Sequence, residues 1–149
     1  YCKERFFNFN LKYKIMKFAE LDLGDTFSTE VFIDEDYVKR FAELTGDKNP
    51  IHLNEEFAKE SIFGQRIIHG MIVGAVFSKT IASEFPGPGS IYLYQDMSFL
   101  APIYLNSLLN IEFRVISLKS DKKIIEIETK CFVASEMKVN GKALIKCLN

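Results

Sequence analysis

The chain contains two histidines, and the first lies in a segment whose residues suit acid–base chemistry. His52 follows Asp47 by five positions, with Asn49 and Pro50 between them. Because proline disfavours the helical conformation of the residue before it, we interpret this segment as a shaped turn and not as a helix face. Such a turn directs a carboxylate and an imidazole to one point, where they form a general acid–base pair. The same residues also suit a purely structural turn, in which His52 bonds a backbone carbonyl.

The second histidine, His69, stands directly before Gly70 and Met71, where a strongly apolar segment begins. A glycine at a helix start leaves backbone N–H groups accessible at the positive end of the helix dipole. Those donors suit the negative oxygen that develops during reactions of acyl groups. The alternative is structural: Gly70 and Gly74 allow close packing, and His69 is a satisfied core or capping residue. No third metal-ligand type occurs at zinc spacing near either histidine, so we expect no zinc site.

The elements that position these residues are predicted from hydrophobic periods and capping residues. Helical spacing and the end signal at Gly46 predict a helix over 35–45, and Asn54 is the cap of a second, short helix. The apolar segment 70–85 is long enough for a buried helix and ends at a Pro-Gly pair. Alternation and β-branched content predict five strands. These are residues 26–33, 89–100, 107–118, 123–134 and 142–148. We place turns at Ser120-Asp121 and at Asn140-Gly141.

This order of elements predicts an α+β fold in which one antiparallel sheet wraps around one long helix. The helix covers one face of the sheet, so the outer edges and part of the other face are available for a second copy. We therefore expect a homodimer.

Length and composition limit the protein class. The chain has 149 residues and 48% hydrophobic content, which fits a single domain able to bury a core. A net charge of -1 argues against a nucleic-acid partner, and no apolar run approaches a membrane span. The cysteines do not form a paired set, so we expect reduced thiols. They are Cys2, Cys131 and Cys147.

The first 17 residues differ from the rest because they contain five basic residues and one acid. They lack a continuous apolar stretch, so they do not fit a secretory signal. We interpret residues 1–15 as an extension before a start at Met16, and residues 16–149 as the single domain. We expect a cytoplasmic location, or an organelle matrix if the basic segment is a transit peptide.

Four segments together resemble the MaoC-like (R)-specific enoyl-CoA hydratases. They are GDKNPIH (46–52), IIHGM (67–71), FPGPGSIYL (85–93) and MSFLAPIY (97–104). The resemblance implies a dimeric hot-dog fold, in which an antiparallel sheet wraps around a central helix. It also implies a lyase that adds water reversibly to a trans-2-enoyl-CoA thioester and forms the (3R)-3-hydroxyacyl thioester. The turn Asn106-Ser107 departs from the usual Gly-Asp pair, at a hairpin away from the site.

The same resemblance assigns roles to residues of this chain. Asp47 and His52 correspond to the catalytic pair, and the N–H of Gly70 corresponds to the donor to the thioester oxygen. Asn49 corresponds to a residue that shapes the catalytic loop, and Ser78 to one that lines the site. His69 and Met71 complete the expected substrate-binding set. The implied reaction requires no metal and no cofactor besides the CoA thioester that is its substrate.

Several assignments have alternatives. Lys48 and Arg66 are candidates for contacts to the phosphates of CoA or of a carrier-protein arm, although exposed charge explains them equally well. Candidates for the acyl pocket are Phe63, Met71, Tyr92 and Phe99. The substrate is an acyl-CoA or an acyl carrier protein, and the net charge leans towards CoA. A non-catalytic acyl-binding module and a thioesterase are further alternatives. The catalytic arrangement of carrier-protein dehydratases with a histidine before the Pro-Gly segment is rejected, because Glu84-Phe85 precede Pro86.

Overall fold

The computed structural model describes residues 16–148, and the prediction for residues 1–15 lies outside them. Five strands are present: β1 (Thr26–Ile33), β2 (Ser90–Phe99), β3 (Ser107–Lys119), β4 (Ile124–Val133) and β5 (Glu136–Cys147). Four α-helices accompany them: α1 (Glu35–Thr45), α2 (Pro50–Leu53), α3 (Glu55–Lys59) and α4 (Gly70–Ser83). In the part of the chain that the structure describes, no helix is both long enough and apolar enough to cross a membrane.

The strands form one antiparallel sheet in the order β1-β3-β4-β5-β2. Strands β3, β4 and β5 are central, and their alternate side chains are buried, as the twofold period of the sequence predicts. Strand β2 forms one edge of the sheet although it is second along the chain, because β5 returns between it and β4. Neighbours in the sheet are therefore not always neighbours in sequence.

Helix α4 lies against the inner face of this sheet. Its buried side chains face the core, and Phe77 meets Phe113 of β3 edge-on at 5.7 Å between ring centroids. They are Ile72, Val73, Val76, Phe77, Thr80 and Ile81. Burial of this apolar stripe is the main source of stability for a helix packed on a sheet. The predicted fold of a sheet wrapped around one long helix is confirmed.

The predicted turn at Asn140-Gly141 is wrong, since both residues lie inside β5. The chain turns instead at Ala134 and Ser135, which both have positive φ values, of 47° and 67°. Strand β5 consequently begins at residue 136 and not at 142. The glycine serves a different purpose, because a Cβ at Gly141 would lie 2.0 Å from the backbone oxygen of Asp96 on the paired strand. Here glycine permits a close approach of two backbones.

Candidate active site

The segment that carries the predicted acid–base pair begins where α1 ends. Gly46 has a left-handed φ of 78°, and its N–H donates to the carbonyl of Ala42. The next bonds are local: Asn49 N donates to Asp47 Oδ1 at 3.2 Å, and Ile51 N donates to Asn49 Oδ1 at 3.2 Å. Asn49 thus caps α2, whose first residue is Pro50. Asn49 is non-helical, but the expectation of a turn alone is wrong, because one short helical turn follows it and carries His52.

His52 is held by a bond from its ring to the segment before α4. Its Nδ1 lies 2.8 Å from the carbonyl oxygen of Ile67. A carbonyl oxygen only accepts, so Nδ1 carries the proton and Nε2 presents a lone pair in the neutral ring. Burial lowers the pKa of His52 below its ordinary value of 6.5; His69 pushes it the same way, and Asp47 opposes the shift. The neutral ring with an accepting Nε2 is therefore the favoured form.

The second histidine lies directly beside the first. The ring centroids of His52 and His69 are 3.9 Å apart. The ring centroid of Phe41, in α1, lies 5.0 Å from that of His69. His69 is buried, and its Nε2 lies 2.9 Å from the backbone oxygen of Asp47. The Nε2 of His69 is thus hydrogen-bonded, as expected for a satisfied core histidine. Its Nδ1 has no hydrogen-bond partner among residues 16–148.

Asp47, His52 and His69 each offer one ligand atom, and these atoms lie within 4.8 Å of one another. The group satisfies a distance criterion for a metal site. Two of the four ring nitrogens are already engaged, because His52 Nδ1 and His69 Nε2 each lie within hydrogen-bond distance of a backbone carbonyl. The Asp47 carboxylate and the imidazole of His52 are side chains that can also take up and release protons.

A cavity of about 510 Å³ adjoins this cluster, and the side chain of His52 is part of its lining. Gly70 also borders it, at the first residue of α4, where the helix leaves backbone N–H groups without intrahelical partners. The remaining lining is mostly apolar. It consists of Phe63, Ile67, Ile68, Met71, Phe99, Leu100, Ala101, Pro102, Ile103 and Val139. A Cβ at Gly70 would lie 2.8 Å from the Phe99 ring, so this position has room for no side chain unless that ring moves. The cavity can accept an extended apolar chain with a polar head near His52.

The structure separates the other predicted residues into two groups. Met71, Phe63 and Phe99 lie on the cavity with His52 and Gly70. Ser78 is exposed on α4 and Tyr92 is half-buried, and neither belongs to the cavity lining. The hydroxyl of Tyr92 instead donates to Gln95, and burial raises its pKa to about 12.

The two predicted phosphate contacts also differ. Arg66 is only 17% exposed and is bonded to Glu35 at 3.1 Å and to Glu55 at 3.0 Å, so it ties α1 to α3. The structural explanation is therefore the better one for Arg66. Lys48 is exposed beside Asp47 and stays a candidate.

Sequence reasoning did not identify the backbone carbonyl of Ile67 or the lining from Leu100 to Ile103. A carbonyl has no side-chain signature, so the first had no signal. The second lies inside the segment MSFLAPIY, whose presence in the motif set was the available signal.

Comparisons with known proteins agree with this geometry. The MaoC like domain matches residues 19–137. The chain is 34% identical to the 3-hydroxybutyryl-CoA dehydratase of Methylorubrum extorquens over 89% of this chain and 85% of that one. It is 37% identical to the (R)-specific enoyl-CoA hydratase of Aeromonas caviae over 73% of this chain and 82% of that one.

The folds agree as well. The structure superposes on the unliganded R-hydratase of Pseudomonas aeruginosa with a TM-score of 0.85 and 35% identity, over 89% of this chain and 86% of that one. The chain belongs to the MaoC-like dehydratase family, has its hot-dog fold, and is an enzyme of the hydro-lyase class.

Proposed function

We propose that this protein is an (R)-specific enoyl-CoA hydratase, in which Asp47 and His52 are the acid–base pair. The observation that carries the proposal is a cavity lined by both His52 and Gly70, the first residue of α4, with an Asp47 carboxylate oxygen within 4.8 Å of a ring nitrogen of His52. Similar relatives named 3-hydroxybutyryl-CoA dehydratase and (R)-specific enoyl-CoA hydratase support the thioester substrate.

The reaction adds the elements of water across the C2=C3 double bond. The water oxygen bonds to C3 while the Asp47–His52 pair takes one of its protons and the electrons of the double bond move onto the thioester carbonyl. The pair then returns a proton to C2. Between the two events, negative charge resides on the thioester oxygen. In this proposal the N–H of Gly70 donates to that oxygen, a contact that contributes about 3–4 kcal/mol in other enzymes. The dehydration uses the same steps in reverse.

The burial of His52 matters to this mechanism. A base must be unprotonated to accept a proton, and burial lowers the pKa of His52 so that the ring is neutral at physiological pH. Asp47 lies within 4.8 Å of it and is exposed, so its carboxylate contacts water. We infer that the reaction proceeds without a metal or other cofactor, since these two groups and the Gly70 N–H cover each charge movement.

We further propose that the protein is a homodimer joined through β2. This strand is an edge of the sheet and presents apolar side chains to solvent: Ile91, Leu93, Phe99 and Leu100 are 43–56% exposed on or beside it. Exposed apolar edges attract a second strand unless they are covered. Light scattering coupled to size-exclusion chromatography checks the mass: a stable monomer at micromolar concentration would contradict the dimer.

The free thiols of the protein indicate the kind of compartment in which it is found. Cys131 and Cys147 are buried and free, and burial raises the pKa of both. Unpaired thiols are typical of reducing compartments, so we propose the cytoplasm or an organelle matrix.

A carrier-protein substrate is the second candidate. It is favoured by a relative, the mitochondrial 3-hydroxyacyl-[acyl-carrier-protein] dehydratase of Arabidopsis thaliana, at 36% identity over 75% of this chain and 68% of that one. Carrier proteins are acidic and bind basic surfaces. The rim near Asp47 offers Lys48, whereas Arg66 is already paired with two glutamates. We therefore favour CoA.

The deciding experiment adds the purified protein to crotonyl-CoA and follows the loss of enoyl absorbance, with the Asp47→Asn protein as the blank. The configuration of the product is then determined. We expect (3R)-3-hydroxybutyryl-CoA, with faster turnover than on crotonyl carrier protein at equal concentration. Formation of the (3S) product, or faster turnover of the carrier-protein thioester, would contradict the proposal. Absence of hydration across short and long enoyl-CoA substrates would favour a binding module.

A further inference from the structure

His69 is joined to the catalytic segment by a pair of crossed hydrogen bonds. His52, on α2, donates from Nδ1 to the carbonyl of Ile67, which lies just before α4. His69, at the cap of α4, bonds from Nε2 to the carbonyl of Asp47, which lies just before α2. Each histidine therefore bonds the backbone of the segment that carries the other. A backbone bond of 3.4 Å from Ile67 N to the carbonyl of Ile51 lies between them.

The bond from His69 has a defined donor and acceptor. The carbonyl oxygen of Asp47 only accepts, so Nε2 of His69 carries the proton and donates. The cap residue of a helix commonly bonds its own helix, but the His69 side chain makes no such bond. Its donor is used instead for a contact between residues 22 positions apart. The other hydrogen bonds of the Asp47 residue are to Thr45 and Asn49, within two positions.

His69 is buried beside His52. It is 2% exposed and, like Asp47, it is absent from the lining of the cavity that His52 and Gly70 border. Its ring stacks on the ring of His52 at 3.9 Å, and Phe41 packs on it at 5.0 Å. It thus contacts both members of the acid–base pair: His52 through its ring, and Asp47 through the backbone.

Resting on the function proposed above, we infer that His69 is a positioning residue: its Nε2–H bond to the Asp47 carbonyl and its stack on His52 fix the two catalytic side chains relative to each other. The physical reason is that Asp47 lies in an exposed loop whose other bonds are local. Local bonds shape a loop but do not set its distance from α4. A displacement of about 1 Å at a reacting group costs about 10²-fold in rate.

Three variants of one position separate the bond from the ring. His69→Gln places an amide N–H near the position of Nε2, His69→Asn places one near Nδ1, and His69→Phe keeps an aromatic ring without a donor. We expect His69→Asn and His69→Phe to lower kcat by about 10–100-fold with KM within about threefold of wild type. His69→Gln is expected to recover most of kcat, because it restores the donor to the Asp47 carbonyl.

The outcomes are decisive in each direction. A rise in KM at unchanged kcat would show substrate contact and overturn the inference, as would equal losses in His69→Gln and His69→Asn. If His69→Phe fails to fold, the comparison of the two amides still decides. Wild-type protein assayed in parallel distinguishes failure of the proposed function from failure of this inference. No hydration by the wild type defeats the proposed function and this inference together, whereas an active wild type matched by all three variants defeats the inference alone.

Discussion

Different forces hold two regions of the molecule in place: the segment 46–52, which carries the proposed acid–base pair, and the central strands of the sheet. In the segment every residue is exposed except Ile51 and His52, and its position depends on a few hydrogen bonds. In β3 and β4 every second side chain is buried, and Ile111, Ile125 and Ile127 are fully inaccessible. The sheet and its helix therefore provide most of the buried apolar contacts that stabilise the fold, whereas the segment that carries the proposed acid–base pair provides few of them. Substitutions in the two regions should therefore affect different measurements.

The largest expected effect is on activity, in Asp47→Asn. The amide oxygen of asparagine can still accept the bond from Asn49 N, so the loop keeps its shape. The carboxylate that takes up a proton is lost, and we expect kcat to fall by about 10²–10⁴-fold. The free energy of unfolding should change by no more than about 0.5 kcal/mol, as it does for most surface substitutions. Near-normal turnover, or a large loss of stability, would contradict the expectation that substitutions in this segment affect activity and not stability.

The second-largest expected effect is on the free energy of unfolding, for a substitution in the sheet. Ile127→Ala removes a fully buried side chain from β4 and should lower the free energy of unfolding by about 2–5 kcal/mol. Ile62→Ala is the matched control, because the same atoms are removed from a side chain that is 95% exposed. Its expected change is within about 0.5 kcal/mol. Urea denaturation measures both, and similar losses in the two variants would contradict the assignment of stability to the sheet.

Gly70→Val changes the first residue of α4, which lines the cavity and lies where the buried core meets the candidate site. A Cβ there already meets the Phe99 ring at 2.8 Å, so a larger side chain must displace this ring, and both residues line the cavity. We expect KM for crotonyl-CoA to rise by about tenfold or more, which is about 1.4 kcal/mol. Gly74→Val is the control one turn later, where the nearest atom is the flexible end of Met97 at 3.0 Å. Equal effects on KM in the two variants would argue against the placement of the thioester beside Gly70.

The smallest effect is a shift in titration. Because burial lowers the pKa of His52, the acid limb of kcat/KM should lie below pH 6.5. In the interval between the folded-state pKa and 6.5 the unfolded chain binds more protons than the folded protein. Stability therefore falls as pH drops through that interval and then levels. Asp47 opposes the shift, so Asp47→Asn should lower the pKa of His52 further. NMR titration of the imidazole protons measures both values, and a rise in the variant would refute the assignment.

Local sequence signals predicted the local elements well. The capping residue Asp34 and the end signal Gly46 define α1 over the predicted residues 35–45, and β1 also lies at the predicted 26–33. Asn54 caps α3 as expected, with a bond of 2.9 Å from the N–H of Phe57. Caps and periods act over a few residues, so they are readable without the tertiary fold.

The Asn-Gly pair shows where such signals fail. An Asn-Gly dipeptide is typical of a hairpin turn, yet here the turn uses Ala134 and Ser135 and contains no glycine. Gly141 marks a special backbone environment, but the environment is a close neighbour strand, Asp96 of β2. Since β2 precedes β5 by about 50 residues in the chain, no local pattern could reveal this approach.

The sequence by itself determined the order of the strands and of helices α1, α3 and α4, and it placed Asp47, His52, His69 and Gly70 in motifs of one family. These properties depend on local spacing, side-chain chemistry and residue identity. Only the tertiary structure decided which residues meet: Arg66 pairs with two glutamates, Ser78 lies away from the cavity, and the two histidines stack. It also decided the tautomers, because each is set by a bond to a backbone carbonyl 15 or 22 residues away. A carbonyl is common to every residue, so its role as a partner appears only when the chain is folded.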